Sequence, residues 1–319
     1  MNGKKAILAP MAGAADSAMR TLCVRYGAGY TVTEMVSAAA VCHNDRKTFS
    51  LAAITGDETP CAVQIFGHDP DVVAYAVGAL WDAARIKPAA FDINMGCPVK
   101  KVVSSGDGSA LLRDVKLAQR IVSAAVKASP VPVTVKMRTG YDKNSINAVE
   151  AAKAFEAAGA SGICVHGRTR EDMYKQKTVR RDLIAAVVAA VNIPVTANGD
   201  IFSAEDALSM LSETGAAYVA VARGALGNPF IFEQINAALE GRAYGTPSEE
   251  ERIAAAREHL RLLIHFKGER SGALEARKHM AWYLKGMKNS AWARQAVNTA
   301  VSGEEMNKIL DHISEGLRS

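Results

Sequence analysis

The 319 residues suffice for one large domain plus a smaller one, and 49% apolar with 22% charged residues is the balance of a soluble globular protein. A formal charge of +5 and a pI near 8.9 permit a polyanionic partner without demanding one. Five cysteines without a C-x-x-C pair argue against a metal framework or disulfide scaffold and for a reducing cytoplasm; Pro10 interrupts MNGKKAILAPMAG too early for a signal-peptide core, and no run reaches the roughly 18 apolar residues of a membrane helix.

From Lys5 to about Ala238 short β-branched or apolar runs alternate with Ala-rich segments of helical period. The runs predict strands at 5–9, 29–34, 61–66, 89–94, 131–136, 161–166, 193–198 and 216–222. Helices are expected between them, for example at 114–128, 145–158, 181–191 and 203–213, with Asp114, Ser145 and Ser203 as N-caps. Each parallel return needs a crossover, so the alternation implies a parallel sheet. Eight units fit a closed α/β TIM barrel, (β/α)₈, over residues 1–241; an open doubly wound sheet is the competitor, with its sites at one switch point.

After Gly241 the pattern is helical only. Ser248 and Glu251 form a capping box, and helices are expected at 249–267, 273–287, 291–301 and 303–316, making 242–319 a small all-helical domain. Within 252–294 ten Lys and Arg stand against three Glu, a net of +7. Phe266, Trp282, Tyr283 and Trp292 interleave with these charges and read mainly as core.

The unusual residues fall at strand ends, where a barrel enzyme carries its chemistry. The eight ends read Pro10-Met11-Ala12-Gly13, Thr33-Glu34-Met35, Gln64-Ile65-Phe66-Gly67, Asn94-Met95-Gly96-Cys97-Pro98, Lys136-Met137-Arg138-Thr139-Gly140, His166-Gly167-Arg168-Thr169-Arg170, Asn198-Gly199-Asp200 and Ala222-Arg223-Gly224. The last two suit a phosphate, because backbone N–H groups at a glycine turn ahead of a helix form an anion site. Lys136 and Gln64 are expected to point where a planar cofactor lies; a rim-seeking lysine and a backbone-satisfying glutamine are the plainer readings. Cys97 is the sharpest residue. Lysines 100 and 101 close by would favour its thiolate, whereas a proton donor must be protonated before it acts. The other four cysteines fit buried, unreactive roles. Residues 106–112, GDGSALL, read as a lid with glycine hinges that carries or covers Cys97.

The ordered set PMAG, TEM, VQIFG, DINMGCPVKKV, GSALL, VKMRTGYD, HGRTR, ANGDI and ARGALGNP resembles the tRNA-dihydrouridine synthases, in particular their bacterial B-type branch, and ARKHMAWYLKG at 276–286 resembles that branch's C-terminal helices. The chain departs from the family pattern at Ala15-Asp16, at KQKTVRRDL after HGRTR, and at Ala222 before Arg223. The resemblance implies a cytoplasmic, monomeric, metal-free enzyme that binds FMN, is reduced by NADPH, and reduces the C5=C6 bond of uridine in tRNA. A hydride would reach C6, and Cys97 would protonate C5. Pro10, Met11, Ala12, Gln64, Lys136 and His166 would then meet the flavin ring or ribityl chain. Asn198, Gly199, Asp200, Ala222 and Arg223 would hold the phosphate end, and Asn94 and Arg168 would lie near the uracil. The target base is stacked in folded RNA and must be extruded. The basic helices, with the cluster Arg168, Arg170, Lys175, Lys177, Arg180 and Arg181, would grip phosphates.

Three other readings compete. An FMN barrel of the dihydroorotate or dihydropyrimidine dehydrogenase type leaves the basic helices unexplained. An RNA-binding scaffold leaves Cys97, Lys136 and His166 unexplained. An aldolase-type barrel would use Lys136 as a Schiff base.

Overall fold

The computed structural model describes residues 3–175, 178–288 and 290–318. Its first half runs β1 (Ala6–Leu8), α1 (Ser17–Arg25), β2 (Tyr30–Val32), β3 (Val36–Ser37), α2 (Ala38–Cys42), α3 (Arg46–Ala52), β4 (Cys61–Phe66), α4 (Pro70–Ala83), β5 (Ala90–Met95), α5 (Lys100–Val103) and α6 (Val115–Ala128). The second half of the barrel runs β6 (Val133–Gly140), α7 (Ala148–Ala157), β7 (Gly162–Thr169), α8 (Arg181–Ala190), β8 (Val195–Asn198), α9 (Ala204–Thr214), β9 (Tyr218–Val221) and α10 (Ile231–Leu239).

All strand pairings are parallel, in the order β2-β1-β9-β8-β7-β6-β5-β4, and β2 also pairs with β4, which closes the ring. The short β3 continues the stave of β2, pairing Val36 with Ile65 of β4 after the chain leaves the ladder at Thr33–Met35. Nine segments therefore make eight staves, the expected (β/α)₈ barrel. Apolar side chains such as Phe91, Val135, Val165 and Val219 join Ile121, Phe155, Ile184 and Met210 of the surrounding helices in one continuous core.

Four helices follow: α11 (Glu249–Lys267), α12 (Glu269–Tyr283), α13 (Ala291–Thr299) and α14 (Gly303–Arg318). The Ser248–Glu251 capping box opens α11. Their own core, around Leu260, Leu263, Met280 and Tyr283, also takes in Ala18, Leu22 and Phe230 from the barrel, so the helical unit is seated against α1. Lys267 Nζ meets the Asp16 carboxylate at 2.6 Å across this seam, and Arg25 pairs with Glu258.

Several element ends differ from expectation. Asp114 and Ser203 cap their helices, but Asn147, not Ser145, precedes α7; Ser145 Oγ instead accepts the Asp142 N–H at 3.1 Å inside a turn. The second C-terminal helix starts at Glu269, four residues early, because Gly268 (φ +78) lets the chain reverse immediately after α11. Strands β6 and β7 run on past their expected ends at 136 and 166, through 137–140 and 167–169, because Arg138–His166 and Gly140–Thr169 remain paired above the barrel.

Candidate active site

Every residue expected to meet the cofactor or the uracil, and Cys97, lines one cavity of about 480 Å³ at the C-terminal mouth of the barrel. The wall includes Pro10, Met11, Ala12, Gln64, Asn94, Cys97, Lys136, His166, Arg168, Asn198, Gly199, Asp200, Ala222 and Arg223. Alternate residues of a strand share a face, so one polar residue per strand end suffices to build such a ring.

Cys97 is held from both sides. The Asn94 side-chain carbonyl accepts the N–H groups of Gly96 (3.1 Å) and Cys97 (2.9 Å), and the Cys97 carbonyl accepts Ser109 Oγ–H (2.8 Å) and N–H (3.1 Å). Residues 107–109 of the GDGSALL segment are buried, and Ser109 ties the segment to the cysteine through these bonds. Gly108 is required by close approach, since a Cβ there would stand 2.9 Å from the Cys97 oxygen. Burial pushes the Cys97 thiol up, against the opposing influence of the Val99 N–H, Arg138 and Lys136. The thiol form therefore prevails at neutral pH; Arg138 and Lys136, rather than the neighbouring lysines in sequence, are the cations it feels. Of the other cysteines, Cys42 is exposed, contrary to the buried role expected of it.

A relay of buried groups fixes the amides beside it. Asp92 accepts Thr134 Oγ1–H (2.6 Å) and Gln64 Nε2–H (2.7 Å), and Gln64 Oε1 in turn accepts Asn94 Nδ2–H at 2.8 Å. Asn94 then turns its oxygen toward the Cys97 loop, which is the only orientation that serves those two N–H donors. Lys136 Nζ donates to Asn198 Oδ1 (3.2 Å) and forms no ion pair with an acid among the described residues. Its positive charge faces the cavity and suits an anion or electron-rich ring.

His166 is pushed well below its ordinary range, first by burial and then by Lys136, Arg138, Arg168 and Arg223. The imidazole is neutral; its Nε2 lies 3.1 Å from Arg168 Nη1, which can only donate, so the ring proton is on Nδ1. Arg168 is fully buried. It also donates to the Lys175 carbonyl and pairs with Asp200, whose other oxygen takes Arg223 Nη2 at 2.8 Å. Two arginines against one carboxylate leave this end of the cavity positive. Gly199 (φ +134) and Gly224 make the tight turns expected of a phosphate cradle; a Cβ on Gly224 would meet the Ile201 oxygen at 2.1 Å.

The basic residues after β7 are engaged in different ways. Arg168 is interior, Arg180 pairs with Asp182, Arg181 with Glu213, and Arg170 lies over the Tyr141 ring at 5.4 Å. Lys175 is exposed, and Lys177 lies outside the described residues.

Three contributors were not foreseen. Arg138, 1% exposed, ties the Cys97 loop to the β7 loop, donating to Gly96 O (2.8 Å), Thr169 O (2.7 Å) and Met173 O (2.9 Å). Burial lowers its pKa to about 10, so it stays charged at neutral pH. Tyr174 lies 5.4 Å from both the Arg138 and Arg223 guanidinium groups, and Trp282 enters the cavity wall from α12. Arg138 was visible in KMRTG, but its partners are 31 to 42 residues away in the chain.

Among the described residues no helix is long and apolar enough to cross a membrane. A family model described as dihydrouridine synthase matches residues 7–317. The tRNA-dihydrouridine synthase B of Pseudomonas putida is 45% identical over 280 residues, covering 87% of this chain and 82% of the relative. That of Pseudomonas syringae pv. tomato is 41% identical over 316 residues, covering 98% and 92%. A probable tRNA-dihydrouridine synthase of Rickettsia conorii is 41% identical over 298 residues, covering 92% and 88%. With this extent of similarity, the chain belongs to the dihydrouridine synthase family, among its bacterial B-type members.

Proposed function

We propose that this cavity binds FMN and one extruded uridine of tRNA, and that the enzyme reduces the uridine C5=C6 bond with NADPH as the source of electrons. The observation that carries the reading is the convergence on one cavity of a protonated cysteine, a lysine with no acidic partner among the described residues, and the Arg168–Asp200–Arg223 cluster beside Gly199 and Gly224. Its volume is that of sites for small cofactors.

The residues fit the flavin chemically. Lys136 and the His166 Nδ1–H offer donors to an electron-rich ring, and Asn198, Gly199, Asp200, Ala222 and Arg223 surround the place for its phosphate, with Pro10, Met11, Ala12 and Gln64 along the remaining wall. When bound, FMN would supply the hydride chemistry for C6, with NADPH as the source of electrons. The Cys97 thiol gives its proton to C5, and the resulting thiolate is stabilised by the Val99 N–H, Arg138 and Lys136 until solvent reprotonates it. Asn94 holds the thiol in place and, with Arg168, lies on the side assigned to the uracil.

Residues 1–241 then act as the catalytic barrel and 242–319 as the RNA-binding unit, its net positive charge presented by Arg270, Lys285, Lys288 and Arg294 on exposed positions. The reading takes the enzyme to be monomeric, metal-free and cytoplasmic. The reading is tested by titrating FMN into the purified protein and following flavin absorbance and fluorescence. We expect one FMN bound per chain, reducible by NADPH; a protein that stays colourless after FMN reconstitution contradicts the assignment.

A further inference from the structure

Among the described residues, the helical unit reaches the barrel cavity through Trp282. Trp282, in the last turn of α12, lines the cavity together with Leu226 and Phe202. The barrel loop that follows Arg223-Gly224 is pressed against the same helix end: Gly227 has φ +67, and a Cβ there would lie 2.5 Å from the Trp282 carbonyl carbon. Only glycine permits both the backbone conformation and the approach. One helical turn earlier, the His279 ring meets the indole edge-on, with centroids 5.1 Å apart and planes at 88°. His279 is itself fully buried against His259, centroids 4.3 Å apart, and neither of its ring nitrogens has a hydrogen-bond partner. These imidazoles act as apolar plates that fix the indole in position.

Trp282 also borders a second cleft, of about 620 Å³, lined by Tyr244, Arg252 and Lys285, as do Phe202 and Leu226. Trp282, Phe202 and Leu226 therefore stand between that cleft and the cavity. We infer that Trp282 is a wall of the cofactor site supplied by the helical unit, covering the ribityl-phosphate end of the bound flavin. The loop it seals is the one that carries Arg223 and Gly224, which places the indole at that end and away from Cys97. The helical unit then has a second role beside RNA binding: it completes the cofactor pocket. This inference rests on the assignment of FMN to the cavity.

The test compares FMN affinity, read from flavin fluorescence, in wild type, Trp282→Ala, Trp282→Phe and Leu22→Ala, with transcript tRNA affinity measured in parallel by filter binding. Leu22 lies in the seam core but not in the cavity wall, so Leu22→Ala reports loosening of the seam alone. We expect Trp282→Ala to weaken FMN binding about tenfold, as loss of one aromatic wall would. Trp282→Phe should stay within about threefold of wild type on the same reasoning, and Leu22→Ala should match wild type. An unchanged FMN affinity in Trp282→Ala overturns the inference, as does an equal loss in Leu22→Ala or a defect confined to tRNA binding. If Trp282→Ala does not fold cooperatively, Trp282→Leu takes its place. A wild type that binds no FMN would instead contradict the underlying assignment, a distinct result.

Discussion

Replacing Cys97 with alanine is expected to lower dihydrouridine formation by about 10²- to 10⁴-fold, the usual worth of a positioned general acid, with FMN binding retained. The expectation follows from the position of the thiol more than from its identity. Its backbone is fixed by Asn94 on one side and Ser109 on the other, so the substitution removes the sulfur without releasing the loop. Burial raises the thiol above its ordinary value, which keeps the acid form through neutral pH. Activity of the wild type should therefore fall only as pH rises through the thiol's elevated pKa, and this alkaline limb should be missing from the residual activity of Cys97→Ala. Single-turnover rates across pH, with FMN occupancy measured on the same samples, check both points. A variant within tenfold of wild type would remove the proton-donor role.

Arg20→Met is expected to be the most damaging single change to the fold. Arg20 and Glu58 are 1% and 0% exposed, and their ion pair joins α1 to the turn that leads into β4. The guanidinium also donates to the carbonyls of Ala15 (2.7 Å) and Ala53 (3.1 Å). Removing one partner of a buried pair costs about 3–5 kcal/mol, because the other charge stays buried without compensation. That is a large share of the roughly 5–15 kcal/mol that keeps a typical protein folded. Burial already holds Glu58 above its ordinary value despite Arg20, and loss of Arg20 enlarges that rise, so the stranded carboxylate destabilises the variant most at high pH and less as pH falls and it takes up a proton. The stability gap between Arg20→Met and wild type should narrow from pH 8 to pH 5, and Arg20→Met with Glu58→Gln should recover part of the loss. Denaturant midpoints at the two pH values measure this. An equal gap at both would show that the lost hydrogen bonds, and not the stranded charge, dominate.

The barrel was legible because parallel strands are buried on both faces and read as short β-branched runs, while the helices between them carry period and caps. The cavity was legible because barrel strands all end at one mouth, so Gln64, Lys136, His166 and Asn198 converge whatever the details of the loops. What escaped depends on contacts between distant residues. Segments 137–140 and 167–169 read as loop, yet they continue as strands above the core, with Arg138 and Arg168 turned inward to bind carbonyls. Gly108 read as a hinge, whereas the constraint is the oxygen of Cys97 lying against it. Trp282 read as core of its own helices, and only the docking of α12 on the loop at Gly227 brings it to the cavity. Local pattern specifies elements and strand ends; it does not specify which side chain from another unit completes a wall.

The most direct test of the account is product formation on RNA. The purified protein, loaded with FMN and supplied with NADPH, is incubated with unmodified transcript tRNA, and the digested nucleosides are quantified by mass spectrometry, with uracil and orotate as parallel substrates. The account predicts dihydrouridine in tRNA, at positions the same digest maps, and little turnover of the free pyrimidines. A flavin-loaded protein that makes no dihydrouridine, even on tRNA taken from cells that lack it, would contradict the account.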